Sequence, residues 1–191
     1  ASYLRFFSND TDIVQVSSKG LLTGVAGGSS VIRVERHGIQ AVSVVNVVAA
    51  SSLYPDDGKP DYPLDYWLFD PSVYPGSFTL AEGYDSRQLR VSSPDGMDVS
   101  ETAVGTRYFV SNQEILSVSP SGLVTATRTG VATVSVIYLG GQADIEVRVA
   151  DAQRESAVIG KNGGAIIGQD GTVLAIGPGS FEAEQSVVIH P

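Results

Sequence analysis

The chain has 191 residues, 42% of them apolar and only 17% charged, with 21 glycines and 9 prolines, the profile of a turn-rich globular protein that is neither disordered nor collagen-like. Twelve Lys and Arg stand against 21 Asp and Glu, so the net charge of −9 repels phosphate backbones and anionic lipid and argues against nucleic-acid binding. The lack of cysteine excludes disulfides, thiolate zinc sites and thiol catalysis, and no apolar run reaches the roughly 20 residues that span a bilayer, so no membrane insertion is expected.

In chain order, residues 1–9 set Arg5 inside an aromatic strand pattern with no charged leader before it. With no initiator Met either, the chain is expected to be a stretch of a longer polypeptide. Residues 12–48 then carry short strands divided by glycine turns, and the same pattern returns over residues 114–150 at a constant offset of 102. Ile13 matches Ile115, Gly20 matches Gly122, Gly28 matches Gly130, Val34 matches Val136, Gly38 matches Gly140, Gln40 matches Gln142, and Val45 and Val47 match Val147 and Val149.

Residues 51–70 form a linker. Pro55, Pro60 and Pro63 stiffen it, and five Asp against one Lys make it acidic. Beyond it, Leu89 and Val91 alternate with Gln88 and Arg90 as a strand, Pro94–Asp95–Gly96 is a turn, and residues 108–111 give another strand. Short strands at 115–118 and 123–125 follow. The alternation of Ala132, Val134, Val136 and Tyr138 with Thr133, Ser135 and Ile137, the Gly140–Gly141 turn, and the alternation of Ala143, Ile145, Val147 and Val149 with Asp144, Glu146 and Arg148 then predict a hairpin with one buried face. Further strand patterns lie at 165–167, 173–176 and 187–189. Strands at this spacing, with no helical period, predict an all-β fold of antiparallel sandwiches.

The runs SNDTDIVQVSSKGLLTGVAGGSSVIRV (8–34) and SNQEILSVSPSGLVTATRTGVATVSV (111–136) resemble the bacterial immunoglobulin-like domains of group 2, and PGSFTLAEGYDSRQLRV (75–91) resembles that family's opening. Phe6 and Phe109 stand where a Trp is common in the family. The resemblance implies tandem Ig-like sandwiches, incomplete at both ends: a partial unit at 1–50 lacking its first strands, the linker at 51–70, a complete unit at 71–150, and the opening strands of a further β domain at 151–191. PGSF at 178–181 is similar to the turn that opens ZU5-like domains. What the family implies for function is a non-enzymatic structural or adhesive module of an extracellular or cell-surface bacterial protein.

Candidate sites follow from the residues. Asp56, Asp57, Asp61 and Asp65 offer hard oxygen ligands for calcium, with no EF-hand spacing, against the plainer reading of a solvated acidic hinge. No other cofactor is expected. Tyr66, Trp67 and Phe69 crowd an aromatic-poor chain; packing or an interface is the plainer reading and stacking on sugar the alternative. On the last strand of the first unit, Val42, Val44 and Val48 occupy outward positions that are Asp144, Glu146 and Ala150 in the second, so that strand is expected to pack on another domain or subunit. Histidine is limited to His37, at a turn, and His190, which leaves almost no material for a Ser-His-Asp or histidine-metal site. Asp95 with Asp98 sits in a polar turn. Expected partners are other β domains of the same protein or neighbouring copies, then a surface protein or a glycan. Two further readings stand beside the surface module: a filament or virion-appendage subunit completed by strand exchange between neighbours, and an accessory carbohydrate-binding module.

Overall fold

A computed structural model describes residues 4–48, 70–83 and 85–189. Apart from a 3-10 turn at Thr102–Val104, all regular structure among these residues is β-strand. No helix among them is long and apolar enough to cross a membrane.

The first unit comprises β1 (Arg5–Ser8), β2 (Val14–Val16), β3 (Leu22–Gly24), β4 (Gly28–Arg36) and β5 (Ile39–Val47). Strands β1, β4 and β5 make an antiparallel sheet, and β2 with β3 a separate ribbon. The second unit opens with β6 (Ser72–Tyr74), β7 (Ser77–Ala81), β8 (Ser86–Gln88) and β9 (Arg90–Ser92). It continues through β10 (Arg107–Val110), β11 (Leu116–Val118), β12 (Leu123–Ala126), β13 (Gly130–Tyr138) and β14 (Gly141–Ala150). One sheet runs β10-β13-β14-β7 and faces β11-β12-β8 and the pair β6-β9. Leu80, Leu89, Val91, Leu116, Val124, Val136 and Val147 form the buried layer between them. Period-two alternation puts every second residue of β13 and β14 into that layer, which fixes the hairpin register from Gly130↔Val149 to Tyr138↔Gly141.

The remaining strands are β15 (Ala152–Arg154), β16 (Ser156–Ile159), β17 (Gly164–Ile167), β18 (Val173–Ile176) and β19 (Gln185–Val188). They pair as β15-β17-β18 and β16-β19 around Ala157, Ile159 and Ile166, with Phe181 and Val187 packed against them. Ala81, Ala150 and Ala165 meet where this region joins the second unit, small side chains that let the strands approach closely.

Three details depart from the sequence reading. The strand expected over 88–91 is two strands: the chain crosses from β8, paired with β12, to β9, paired with β6, so that Leu89 and Val91 are both fully buried in the core. The sandwich is not wholly antiparallel. Strand β7 lies parallel to β14, from Ser77↔Glu146 to Ala81↔Ala150, because the unit's opening strand returns beside its last one and closes that edge. Finally, the counterpart of Phe6 is Tyr108, not Phe109. A Cβ on Gly20 would lie 2.9 Å from Phe6 Cζ, and one on Gly122 would lie 2.7 Å from the Tyr108 hydroxyl oxygen, so each unit lays an aromatic ring on a bare glycine.

The same construction recurs at the strand entries. Gly28 and Gly130 sit at φ +146° and +148°, where a Cβ would come within 2.8 Å and 2.7 Å of Cδ1 of Ile13 and Ile115 respectively. Glycine is required there twice over, by backbone conformation and by the isoleucine packed against it.

Candidate interaction surface

The first unit meets the second along the free side of β5. The Gln40 N–H donates to the Ser111 carbonyl (2.8 Å), and Gln40 Nε2 donates to the Val110 carbonyl (2.9 Å). Ile39 and Asn112 form an isolated antiparallel bridge. Gln142 holds the next turn of the pleat: its Nε2 donates to the Val42 carbonyl (3.4 Å), and its Oε1 accepts from the Val44 N–H (3.1 Å). The side-chain amide thus takes the place of a neighbouring strand's peptide group. Gln142 is itself positioned by Asp144, whose carboxylate accepts from Nε2 (3.0 Å), and by Asp70, whose Oδ1 accepts from its main-chain N–H (3.2 Å). Between the units lies a cleft of about 230 Å³ lined in part by Val42, Phe109, Ser135 and Asp144. Phe109 therefore faces the first unit while Tyr108 faces the core, as successive residues of a strand must.

The hydrogen-bonded contact reaches Val44, and beyond it the turn at Gly140 lies against Ser29 and Asn46, where a Cβ would come within 2.8 Å of Ser29 Oγ and 3.2 Å of Asn46 Oδ1. Because Val44 turns its N–H away from β4, the pleat turns the main-chain groups of Asn46 and Val48 the same way. In the second unit the equivalent groups belong to Arg148 and Ala150 and face β7; the Ala150 carbonyl accepts from the Glu82 N–H (2.9 Å). Among the described residues no strand pairs with β5 on the side away from β4, apart from the isolated bridge at Ile39. Strand β3 is likewise paired on one side only, by β2, whereas its counterpart β12 lies between β11 and β8.

Burial follows pairing. Val124 and Val147 are fully buried, while their counterparts Leu22 and Val45 are 42% exposed and half-buried. Ile145 is buried where Ser43 is exposed. Leu21 and Val25 beside β3 are also exposed, at 71% and 53%.

Of the candidate residues, Val42 and Val44 are half-buried on β5 and hold Gln142 through their main chain, whereas Val48, just past the strand, is 47% exposed. Asp56, Asp57, Asp61, Asp65, Tyr66, Trp67, Phe69 and His190 lie outside the described residues. Asp70, the last acid of the linker, is engaged with Gln142. His37 sits exposed at the tip between β4 and β5 with a left-handed backbone, φ 50°. Asp98 accepts from the Ser100 hydroxyl (2.6 Å) and N–H (3.0 Å) and pairs with Arg90 at 3.6 Å. The two Ser100 bonds, with Arg90 beyond them, hold its carboxyl below the ordinary aspartate value. Asp95 accepts from the Ser93 hydroxyl. Both carboxylates are thus spent on their own turns. Among the described residues no three His, Asp or Glu side chains come together as a metal site would require. The glutamines at 40 and 142 are junction residues not singled out from the sequence; the signal was their equivalence at the repeat offset, two residues after Gly38 and Gly140.

No protein-family model matches the chain, and no curated protein matches it. Among solved structures, it is similar to the S-layer protein rSbsC(31-844), at 15% identity and a TM-score of 0.38, over 92% of this chain and 24% of that one. It is also similar to domains 4 and 5 of the S-layer protein SbsC, at 17% identity and a TM-score of 0.34, over 78% of this chain and 70% of that one. The chain spans about a quarter of the length of the first of these.

Proposed function

We propose that this chain is a non-enzymatic, Ig-like structural or adhesive stretch of an extracellular or cell-surface bacterial protein. The observation that carries the reading is the junction between its first two units. A strand edge met by main-chain and glutamine hydrogen bonds restrains two β units against each other. That is what a spacer under load needs, and ladders of hydrogen bonds around apolar cores supply the resistance. The resemblance of 8–34 and 111–136 to the group 2 bacterial Ig-like domains supports the same reading. The test is immunolabelling of intact source cells with antibodies raised against this chain. Labelling of unpermeabilised cells is expected; labelling that needs permeabilisation contradicts the reading.

A second reading, a filament or appendage subunit completed by strand exchange between neighbouring copies, is favoured by the pairing of β3 and β5 on one side only among the described residues. Sedimentation of the purified chain distinguishes it: closed oligomers or fibres support exchange, and a monomer at high concentration opposes it.

A further inference from the structure

We propose that the cleft between the second unit and the strands that follow it binds a sugar acid, a polyhydroxylated small molecule whose carboxylate is taken by Arg148. This goes beyond the spacer reading and does not depend on it.

The cleft is a consequence of how the chain leaves the sandwich. Strand β14 ends at Ala150, the chain passes through Asp151 into β15, and β15 pairs with β17, whose Ala165 seats against Ala81 and Ala150 on the outward face of the sheet. Three small side chains bring the layers close at that point. Beside it opens a cleft of about 550 Å³, within the roughly 300–1,000 Å³ of small-molecule sites. Its walls come from the start of β13, the end of β14, β15, β16 and the start of β17. One wall is held in place by glycine: a Cβ on Gly163 would run into the Ile176 carbonyl oxygen, and one on Gly164 would lie 2.6 Å from Ile159 Cδ1.

Arg148 carries the argument. Val131, Arg148 and Thr79 stand opposite one another across β13, β14 and β7, on the face turned away from the core. Among the described residues, the well-exposed Arg5, Arg90 and Arg128 pair with carboxylates. The half-buried Arg148 pairs with none, although Asp151 lines the same cleft. Its Nε is buried with no hydrogen-bond partner, and so is the hydroxyl oxygen of Thr79, a residue only 7% exposed. At the matching position of the first unit stands Asn46, hydrogen-bonded to Ser29. A guanidinium half withdrawn from water without a counter-charge is costly to the fold, and it is the group whose planar fork matches a carboxylate.

The remaining groups narrow the ligand. Asp151 offsets the charge of Arg148, so the lining is neutral as a whole and suits a single negative charge better than a phosphate dianion. Thr129, Asp151 and Gln153 supply donors and acceptors for hydroxyl groups. Val131 and Val158, 49% and 63% exposed, offer apolar surface to the C–H face of a ring. A carboxylate, several hydroxyls and a C–H face together describe a sugar acid.

The test is a titration of the full isotope-labelled chain with sodium glucuronate, followed by NMR. Saturable shifts are expected at the Arg148 Nε–H and at the amides of residues 129–131, 151–153 and 163–165. Glucose, which lacks the carboxylate, and acetate, which lacks the hydroxyls, should each bind at least about tenfold more weakly. Arg148→Gln should lower the affinity for glucuronate at least about tenfold while the urea midpoint stays level or rises, because an unmatched charge is removed. Gln153→Ala, at an exposed position, should weaken glucuronate binding and leave acetate binding unchanged. No saturable shift, equal binding of glucose, shifts confined to residues away from the cleft, or full affinity in Arg148→Gln would overturn the proposal. So would inorganic phosphate or acetate binding as tightly as glucuronate at the same residues, which makes the cleft a general anion site.

Discussion

At the scale of residues, Tyr108 shows how one position can be shared by two units and used differently. Its ring covers Gly122 as Phe6 covers Gly20, but its hydroxyl also donates to the Ser100 carbonyl (2.6 Å). Burial, reinforced by the negative charges of Glu101 and Asp98, raises its pKa from the ordinary 10 to about 12. A pKa raised on folding means that the neutral phenol is favoured in the native state. That contribution is complete below pH 10 and is lost as pH climbs from 10 through 12. Tyr108→Phe should therefore cost about 1 kcal/mol at neutral pH, the worth of the lost hydrogen bond, and the gap to the parent protein should close as the pH passes 10. Urea unfolding of both proteins from pH 7 to 11.5 checks this; a gap that stays constant over the range contradicts it. The aromatic character of this position was legible in the sequence. Which of the adjacent Tyr108 and Phe109 faces the core was not, because both are aromatic and only the pairing of β10 with β13 decides which side each takes.

Elements differ in how openly they announce themselves. The β13–β14 hairpin is long and buried on one face, so strict alternation with a glycine turn made it readable to within a residue or two. Strands β8 and β9 are three residues each and change sheets between them, and so short a run cannot carry a period. The junction was less legible still. Sequence pattern registers apolar stripes, and the apolar Val42 and Val44 did single out β5. What hydrogen-bonds the second unit along that strand is its main chain and the Gln40 side chain, and the main chain of Val42 and Val44 is met by a glutamine that reads as an ordinary polar surface residue. Gln142→Ala should free the Val42 carbonyl and the Val44 N–H. At about 0.5–1.5 kcal/mol per hydrogen bond, the first unit should lose about 1–2 kcal/mol of stability while the second is unchanged. Residue-resolved NMR through a urea titration reads the two units separately, and a loss shared equally by both would contradict this assignment.

Across the whole molecule, two β units of parallel design reach different degrees of closure. In the second, β7, β8 and β9 return over the sheet and seal Val124, Val136 and Val147. In the first, the matching residues Leu22, Val34 and Val45 keep a share of their surface in water. The apolar area still exposed is stabilisation that the first unit does not have, at roughly 25 cal/mol per Å². The difference was partly legible, since Val42, Val44 and Val48 stand outward on β5 where the second unit has Asp144, Glu146 and Ala150. The parallel register of β7 on β14 was not legible, because a five-residue strand carries no mark of its direction. Native-state hydrogen exchange on the isolated chain compares the two units most directly. The inner ladder amides of Ser43 and Val45 should exchange faster than those of Ile145 and Val147, through openings that leave the second unit intact. Equal protection at these paired positions would mean that the first unit is sealed as tightly as the second, and would contradict this difference in closure.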